Sequence, residues 1–144
     1  MRYAIAVLLS LIYATSTLAA DCAPSPQTHS GTHYKPIAVA KVDIGSGLKV
    51  SGRVLSAGDC KPIANARVEH WQAGNDGEYL DRLYAFLHAD ASGAYAFNTE
   101  WPNIAPPHIH FKVNAPGFKP LTTMWFGGEP AKILQIDLVL EKNE

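Results

Sequence analysis

The residues with the clearest chemical potential lie in Pro106-Pro107-His108-Ile109-His110-Phe111-Lys112-Val113. Side chains along a β-strand alternate between its faces, so His108, His110 and Lys112 should share one face while Ile109, Phe111 and Val113 share the other. The second face reads as core. The first presents two imidazoles side by side, close enough to hold one cation, and neutral imidazole is the commonest metal ligand in proteins. The spacing also fits a half-buried strand that carries two histidines without a metal, and imidazole accepts copper or zinc as readily as iron.

The elements that must position these histidines are short. From Leu48 onward, alternating runs are bounded by Gly, Pro, Asn and Asp, which is the pattern of strands joined by turns. Leu48 to Ser56 and Ile63 to Trp71 read as the first two strands, and Ala94 to Asn98 as a third. The His108 strand, Leu121 to Phe126 and Ile133 to Leu140 follow. Turns are expected at 56–62, Asn75-Asp76-Gly77, Ala91-Ser92-Gly93, Ala115-Pro116-Gly117 and Gly127–Pro130. No segment has a sustained helical period. Leu83, Tyr84 and Phe86 read as a short apolar patch, and Trp71 and Phe97 as core aromatics. Six or more short strands predict an all-β fold, an antiparallel β-sandwich, with a partly open barrel as the nearest competitor.

The 144 residues carry 12 basic and 13 acidic side chains, a net charge of −1. That balance gives no reason to expect a nucleic acid or an anionic membrane as partner. Met1-Arg2-Tyr3 followed by an apolar run to Ala20 has the layout of a secretory signal peptide, with Ala19 and Ala20 offering a cleavage site. Residues 1–20 are therefore expected to be removed, leaving 21–144 as one exported domain, periplasmic or secreted. Cys22 and Cys60 would pair under oxidising conditions. Such a bridge ties the amino end to the 57–62 turn, and closing a loop of that length contributes about 3 to 4 kcal/mol.

A wider set of motifs resembles a known family. Gly52-Arg-Val, Asp59-Cys-Lys-Pro-Ile-Ala-Asn-Ala-Arg-Val-Glu-His-Trp-Gln-Ala, Asn75-Asp-Gly-Glu-Tyr79, Ser92-Gly-Ala-Tyr-Ala-Phe and Pro107-His-Ile-His-Phe look like the core of the intradiol ring-cleavage dioxygenases, in the same order. Ser25-Pro26-Gln27-Thr28 loosely echoes the family's opening segment. The resemblance implies a non-haem Fe(III) ion held by Tyr79, His108 and His110. It also implies a small catechol-like aromatic and O2 as substrates, with cleavage between the two hydroxylated carbons to a muconate-type diacid. A phenol ordinarily deprotonates near pH 10, and a trivalent cation strongly favours the phenolate.

The chain departs from the family between Tyr95 and His108. Family members carry a second, axial tyrosine and an arginine there, whereas Ala96–Pro107 contains neither, and Ala105 stands where the arginine would. Glu100 and Trp101 fall where the axial ligand would be sought, and Trp101 is assigned to substrate contact. Tyr34, Tyr84 and Glu100 are the other side chains open as a fourth ligand. The missing groups leave a second reading, a non-catalytic β-sandwich module that binds a metal, a catechol or a carbohydrate. The short connections also suggest an open pocket, compatible with a bulky aromatic.

Overall fold

Alternation of apolar and polar residues builds almost everything regular in the chain. The computed structural model describes residues 22–37 and 39–144, so the leader expected over 1–20 lies outside the described residues. The described strands are β1 (Leu48–Ser56), β2 (Arg67–Trp71), β3 (Tyr84–His88), β4 (Ala94–Thr99), β5 (His108–Asn114), β6 (Leu121–Phe126), β7 (Ile133–Gln135) and β8 (Leu138–Leu140). One 3-10 turn, Asp81–Leu83, precedes β3. The strands form two four-stranded sheets, one ordered β4-β1-β7 with β8 also on β1, the other β3-β2-β5-β6. The fold is the expected β-sandwich, antiparallel throughout except that β7 and β8 run parallel to β1.

Three expectations need correction. The second strand begins at Arg67 and not at Ile63, because Asn65 takes a left-handed φ of 58° that no strand accommodates. Tyr84–His88 is a full strand, β3, rather than an apolar patch. The run Ile133–Leu140 is two strands. Its ladder breaks at Ile136-Asp137, where the Asp137 carboxylate accepts the Arg53 amide at 2.9 Å. At Gly52 the Ile136 carbonyl approaches so closely that an added Cβ would lie 1.8 Å from it. Only glycine admits that contact.

The core lies between the sheets. Val50, Val54 and Phe97 face Val68, Ile109, Phe111 and Val113, all 2% exposed or less. Burying each such side chain stabilises the fold by roughly 1.5–3 kcal/mol. His70 is an odd member. It is fully buried, its ring lies 3.7 Å from that of Phe97 at 9°, and neither ring nitrogen has a partner.

The segment before β1 acts as a strap across both sheets. Cys22 and Cys60 are disulfide-bonded. Ser25 exchanges hydrogen bonds with Val139, its amide donating at 3.0 Å and its Oγ accepting at 2.9 Å. The Gln27 side chain and the Thr28 amide bond to Thr122. Farther on, Val39 and Lys41 pair with Phe86 on β3, and Val42 and Ile44 with Asn98 on β4. One stretch of backbone thus covers the exposed edges of both sheets, the sites at which unpaired strands invite association.

Two stability outcomes follow. Replacing both cysteines by serine should lower the unfolding free energy by about 4 kcal/mol on the chain-entropy account, measured by denaturant titration. Burial holds the His70 imidazole down to about 3, whereas the unfolded chain protonates near 6.5. The unfolded state therefore binds the extra proton between those limits, and stability must fall as pH drops below 6.5. Relative to His70→Leu, the wild type should lose about 2 kcal/mol between pH 7 and pH 5.

Candidate metal centre

The outer face of the second sheet is built by the same alternation that builds the core. On β2, Val68 and His70 point inward, which turns Arg67, Glu69 and Trp71 outward. On β5, Ile109, Phe111 and Val113 point inward, which turns His108, His110 and Lys112 outward. The register pairs Trp71 with His110 directly. Their rings stack at 4.9 Å and 6°, with Trp71 fully buried and His110 5% exposed. An indole packed flat on one side of the imidazole fixes the plane of the ring.

Tyr79 reaches that edge from the β2–β3 connection. The loop is fixed by a tight turn, in which the Gly77 amide donates to Gly74 O and the Asp76 carboxylate accepts the Glu78 amide at 3.0 Å. Asn103 ties the turn to the connection before β5, its amide bonded to Gly74 O and its side chain to Asn75 O. As a result Tyr79 Oη lies 2.9 Å from His108 Nε2 and 3.2 Å from His110 Nε2.

The protons of this cluster leave one buried atom, His110 Nδ1, without a partner. His108 Nδ1 lies 2.9 Å from the Pro106 carbonyl, which can only accept, so Nδ1 carries the proton and Nε2 offers a lone pair. Burial, followed by the neighbouring His108 and His33 rings, lowers His110 to about 4, so it is neutral near pH 7. A neutral His110 carries one proton, and its Nδ1 is buried without a partner. Whichever nitrogen holds that proton, a buried polar atom is left unsatisfied. Burial and then Tyr84 raise the Tyr79 phenol to about 12. The single Tyr79 hydroxyl proton serves His108 Nε2, and the same oxygen can accept from His110 if that ring carries its proton on Nε2. A cation among Oη and the two Nε2 atoms would use all three, and a phenolate with two imidazoles suits a hard, trivalent ion such as Fe(III). Among the described residues no three His, Cys, Asp or Glu side chains could hold a metal, so the phenol is indispensable to the set.

The other sequence candidates are engaged elsewhere. Trp101 is not at the cluster. It packs on the inter-sheet core, edge-on to Trp125 at 5.9 Å. Glu100 is paired with Arg82 at 2.6 Å. Tyr84 Oη donates to the His33 carbonyl at 2.7 Å. Tyr34 Oη donates to Glu69 at 3.3 Å and accepts from Lys112 at 3.1 Å, while Arg67 bonds Glu69 and the Ile37 carbonyl. That network fastens the strap to the sheet.

Two residues beside the cluster had no signal in the sequence. His33, exposed on the strap, lies parallel to the Tyr79 ring at 4.0 Å and 1°. Phe126, 54% exposed at the end of β6, lies 5.8 Å from the His108 ring. Local patterns cannot reveal partners so distant along the chain. The β5–β6 register alone, had it been known, would have put Phe126 opposite His108.

No protein-family model matches the chain. The chain is 36% identical to catechol 1,2-dioxygenase 2 of Acinetobacter lwoffii, across 56% of this chain and 40% of that protein. It is 35% identical to the protocatechuate 3,4-dioxygenase beta chain of Burkholderia cepacia, across 60% and 47%. The chain thus spans less than half the length of these curated relatives. Its fold matches the dioxygenase domain of a dioxygenase carbohydrate-binding protein fusion from Streptomyces sp. SirexAA-E, with a TM-score of 0.75, 24% identity, and coverage of 84% of this chain and 100% of that one. It also matches 3-chlorocatechol 1,2-dioxygenase from Rhodococcus opacus 1CP, with a TM-score of 0.72, 16% identity, and coverage of 87% and 75%.

Long-range 15N NMR of the metal-free protein checks the tautomer argument. The neutral His108 ring should appear as the Nδ1-H tautomer, and His110 should remain neutral until the pH nears 4. An Nε2-H His108 would contradict the assignment.

Proposed function

We propose that this chain, a member of the intradiol ring-cleavage dioxygenase family, holds a ferric ion through Tyr79 Oη, His108 Nε2 and His110 Nε2 and cleaves a small catechol-type aromatic with O2. The observation that carries the reading is the convergence of two imidazole Nε2 atoms on one phenol oxygen, at 2.9 and 3.2 Å. When bound, ferric iron supplies the Lewis acidity and electron transfer that let O2 add to an aromatic diol and break the bond between its two oxygenated carbons.

The protein's own part is positioning. The Pro106 carbonyl fixes the His108 tautomer and, by holding Nδ1, sets the ring's direction. Trp71 holds His110 flat and dry. Tyr79 must release its proton when a cation binds, because burial otherwise keeps the phenol neutral. Phe126 gives the site an exposed apolar rim on which a flat aromatic ring can rest. An exported location fits the Cys22–Cys60 bridge, since oxidising compartments let such bonds persist.

A second reading is a non-catalytic module that binds a catechol through the same centre. It is favoured by the 96–107 connection, which has neither tyrosine nor arginine and turns Trp101 toward the core. A preorganised cation at a reacting site is often worth several kcal/mol, so its absence could leave binding without turnover.

Metal analysis, visible absorption and product assay on iron-loaded protein test both readings. The dioxygenase reading expects about one iron per chain, a broad phenolate-to-iron band that Tyr79→Phe abolishes, and ring-opened product from catechol. His108→Ala and His110→Ala should each reduce turnover to background. Turnover that survives either substitution would sink the assignment, and a band without product would favour the binding module.

A further inference from the structure

Beside the three donors stands a fourth side chain that neither the comparisons nor the motif resemblance assigns. His33 is carried by the strap, not by either sheet. Three contacts fix it. Its ring lies flat on Tyr79 at 4.0 Å and 1°. Its carbonyl accepts the Tyr84 hydroxyl at 2.7 Å. Two residues earlier the strap passes so near the site that a Cβ on Gly31 would lie 3.4 Å from His110 Cε1, and Gly31 has a φ of 77°, which glycine adopts without strain. Among the described residues neither ring nitrogen of His33 has a hydrogen-bond partner, although one face of the ring rests on Tyr79 and the backbone carbonyl is bonded to Tyr84.

The stacking geometry limits what His33 can do. Its ring is one ring-thickness away from the plane that contains Tyr79 Oη, so it lies beside the donor cluster and does not converge on the same point. The absence of any three-histidine group among the described residues agrees with this placement. An imidazole so held is poised to touch a molecule bound at the cluster. The nearby alternatives are engaged, since Lys112 and Tyr34 bond to each other and Tyr84 to the strap.

We propose that His33 is a substrate-contacting residue, donating a ring N–H to an oxygen of a catechol-type diol bound at the Tyr79–His108–His110 centre. This rests on the metal reading above. It gives the chain a polar contact to the diol in a site whose 96–107 connection supplies no cationic side chain. A hydrogen bond to an ionised oxygen is stronger than a neutral one, so its loss should be visible in affinity.

The test is a titration of the iron-loaded protein with 4-nitrocatechol, followed by visible absorption, in wild type, His33→Phe and His33→Gln. Phenylalanine keeps the flat contact with Tyr79 and removes the nitrogens, whereas glutamine keeps an N–H and removes the aromatic stack. His33→Phe should retain the wild-type iron content and phenolate band but bind 4-nitrocatechol about 10- to 100-fold more weakly, and His33→Gln should recover part of the loss. Affinity within twofold of wild type in His33→Phe would reduce His33 to a prop for Tyr79 and overturn the proposal. Loss of iron from His33→Phe would make His33 a metal donor and overturn it equally. A wild-type protein with no phenolate band would sink the metal reading and this inference together, whereas an intact band with unchanged diol affinity sinks this inference alone.

Discussion

The two-faced character of β5 is the constraint on which the rest of the structure depends. Ile109, Phe111 and Val113 are fully buried between the sheets, and they cannot turn outward without exposing the centre of the core. A register slip of one residue would exchange the faces completely. The core therefore dictates where His108 and His110 point, and the same argument on β2 dictates Trp71. The donor face is in this sense a by-product of apolar burial, enforced by far more free energy than a pair of surface histidines could supply. The orientation of the imidazoles is set before any ligand is considered.

Burial then sets their protonation. Covering His110 with Trp71 and the strap depresses its basicity and keeps a lone pair available, while the same dry surroundings keep Tyr79 a phenol. The two shifts have opposite meanings for a cation. His110 is ready to bind without losing a proton, whereas Tyr79 must lose one. Any ion held here has to be strong enough to displace a phenolic proton from a group that resists it. That requirement selects for high charge and hardness and against softer divalent ions.

Much of this was legible in the sequence, and the illegible parts share a physical cause. The alternation of 108–113 revealed both faces of β5 because one strand encodes it locally. Cys22 and Cys60 were legible because two cysteines leave one pairing. β3 was missed because Tyr84-Ala-Phe-Leu-His has an outer face of two aromatics and a histidine, which the strap half buries, so polar alternation is absent. The break at Ile136-Asp137 depends on Gly52, remote in sequence, which lets a carbonyl approach closely. Trp101 packs on the inter-sheet core, and an aromatic in a connection carries no mark in the sequence of which side of the sheet it will cover. His33 was invisible because a stack between strap and loop leaves no periodic trace.

The three donors also differ in how firmly the fold holds them. His108 and His110 belong to a central strand paired on both sides, which opens only with the sandwich. Tyr79 sits in a loop secured by turn hydrogen bonds and by Asn103, and His33 in a strap secured by a disulfide and side-chain contacts. Segments held by few buried apolar contacts open at lower free energy than core strands. A ligand that engages Tyr79 and the histidines together binds only when loop and sheet are in register, so it must stabilise the loop against the sheet by mass action. The phenol is thus also the least anchored of the three side chains, and the strap lies against it through the flat His33 ring. The segment before β1 and the loop that carries Tyr79 therefore meet at the same edge of the sheet.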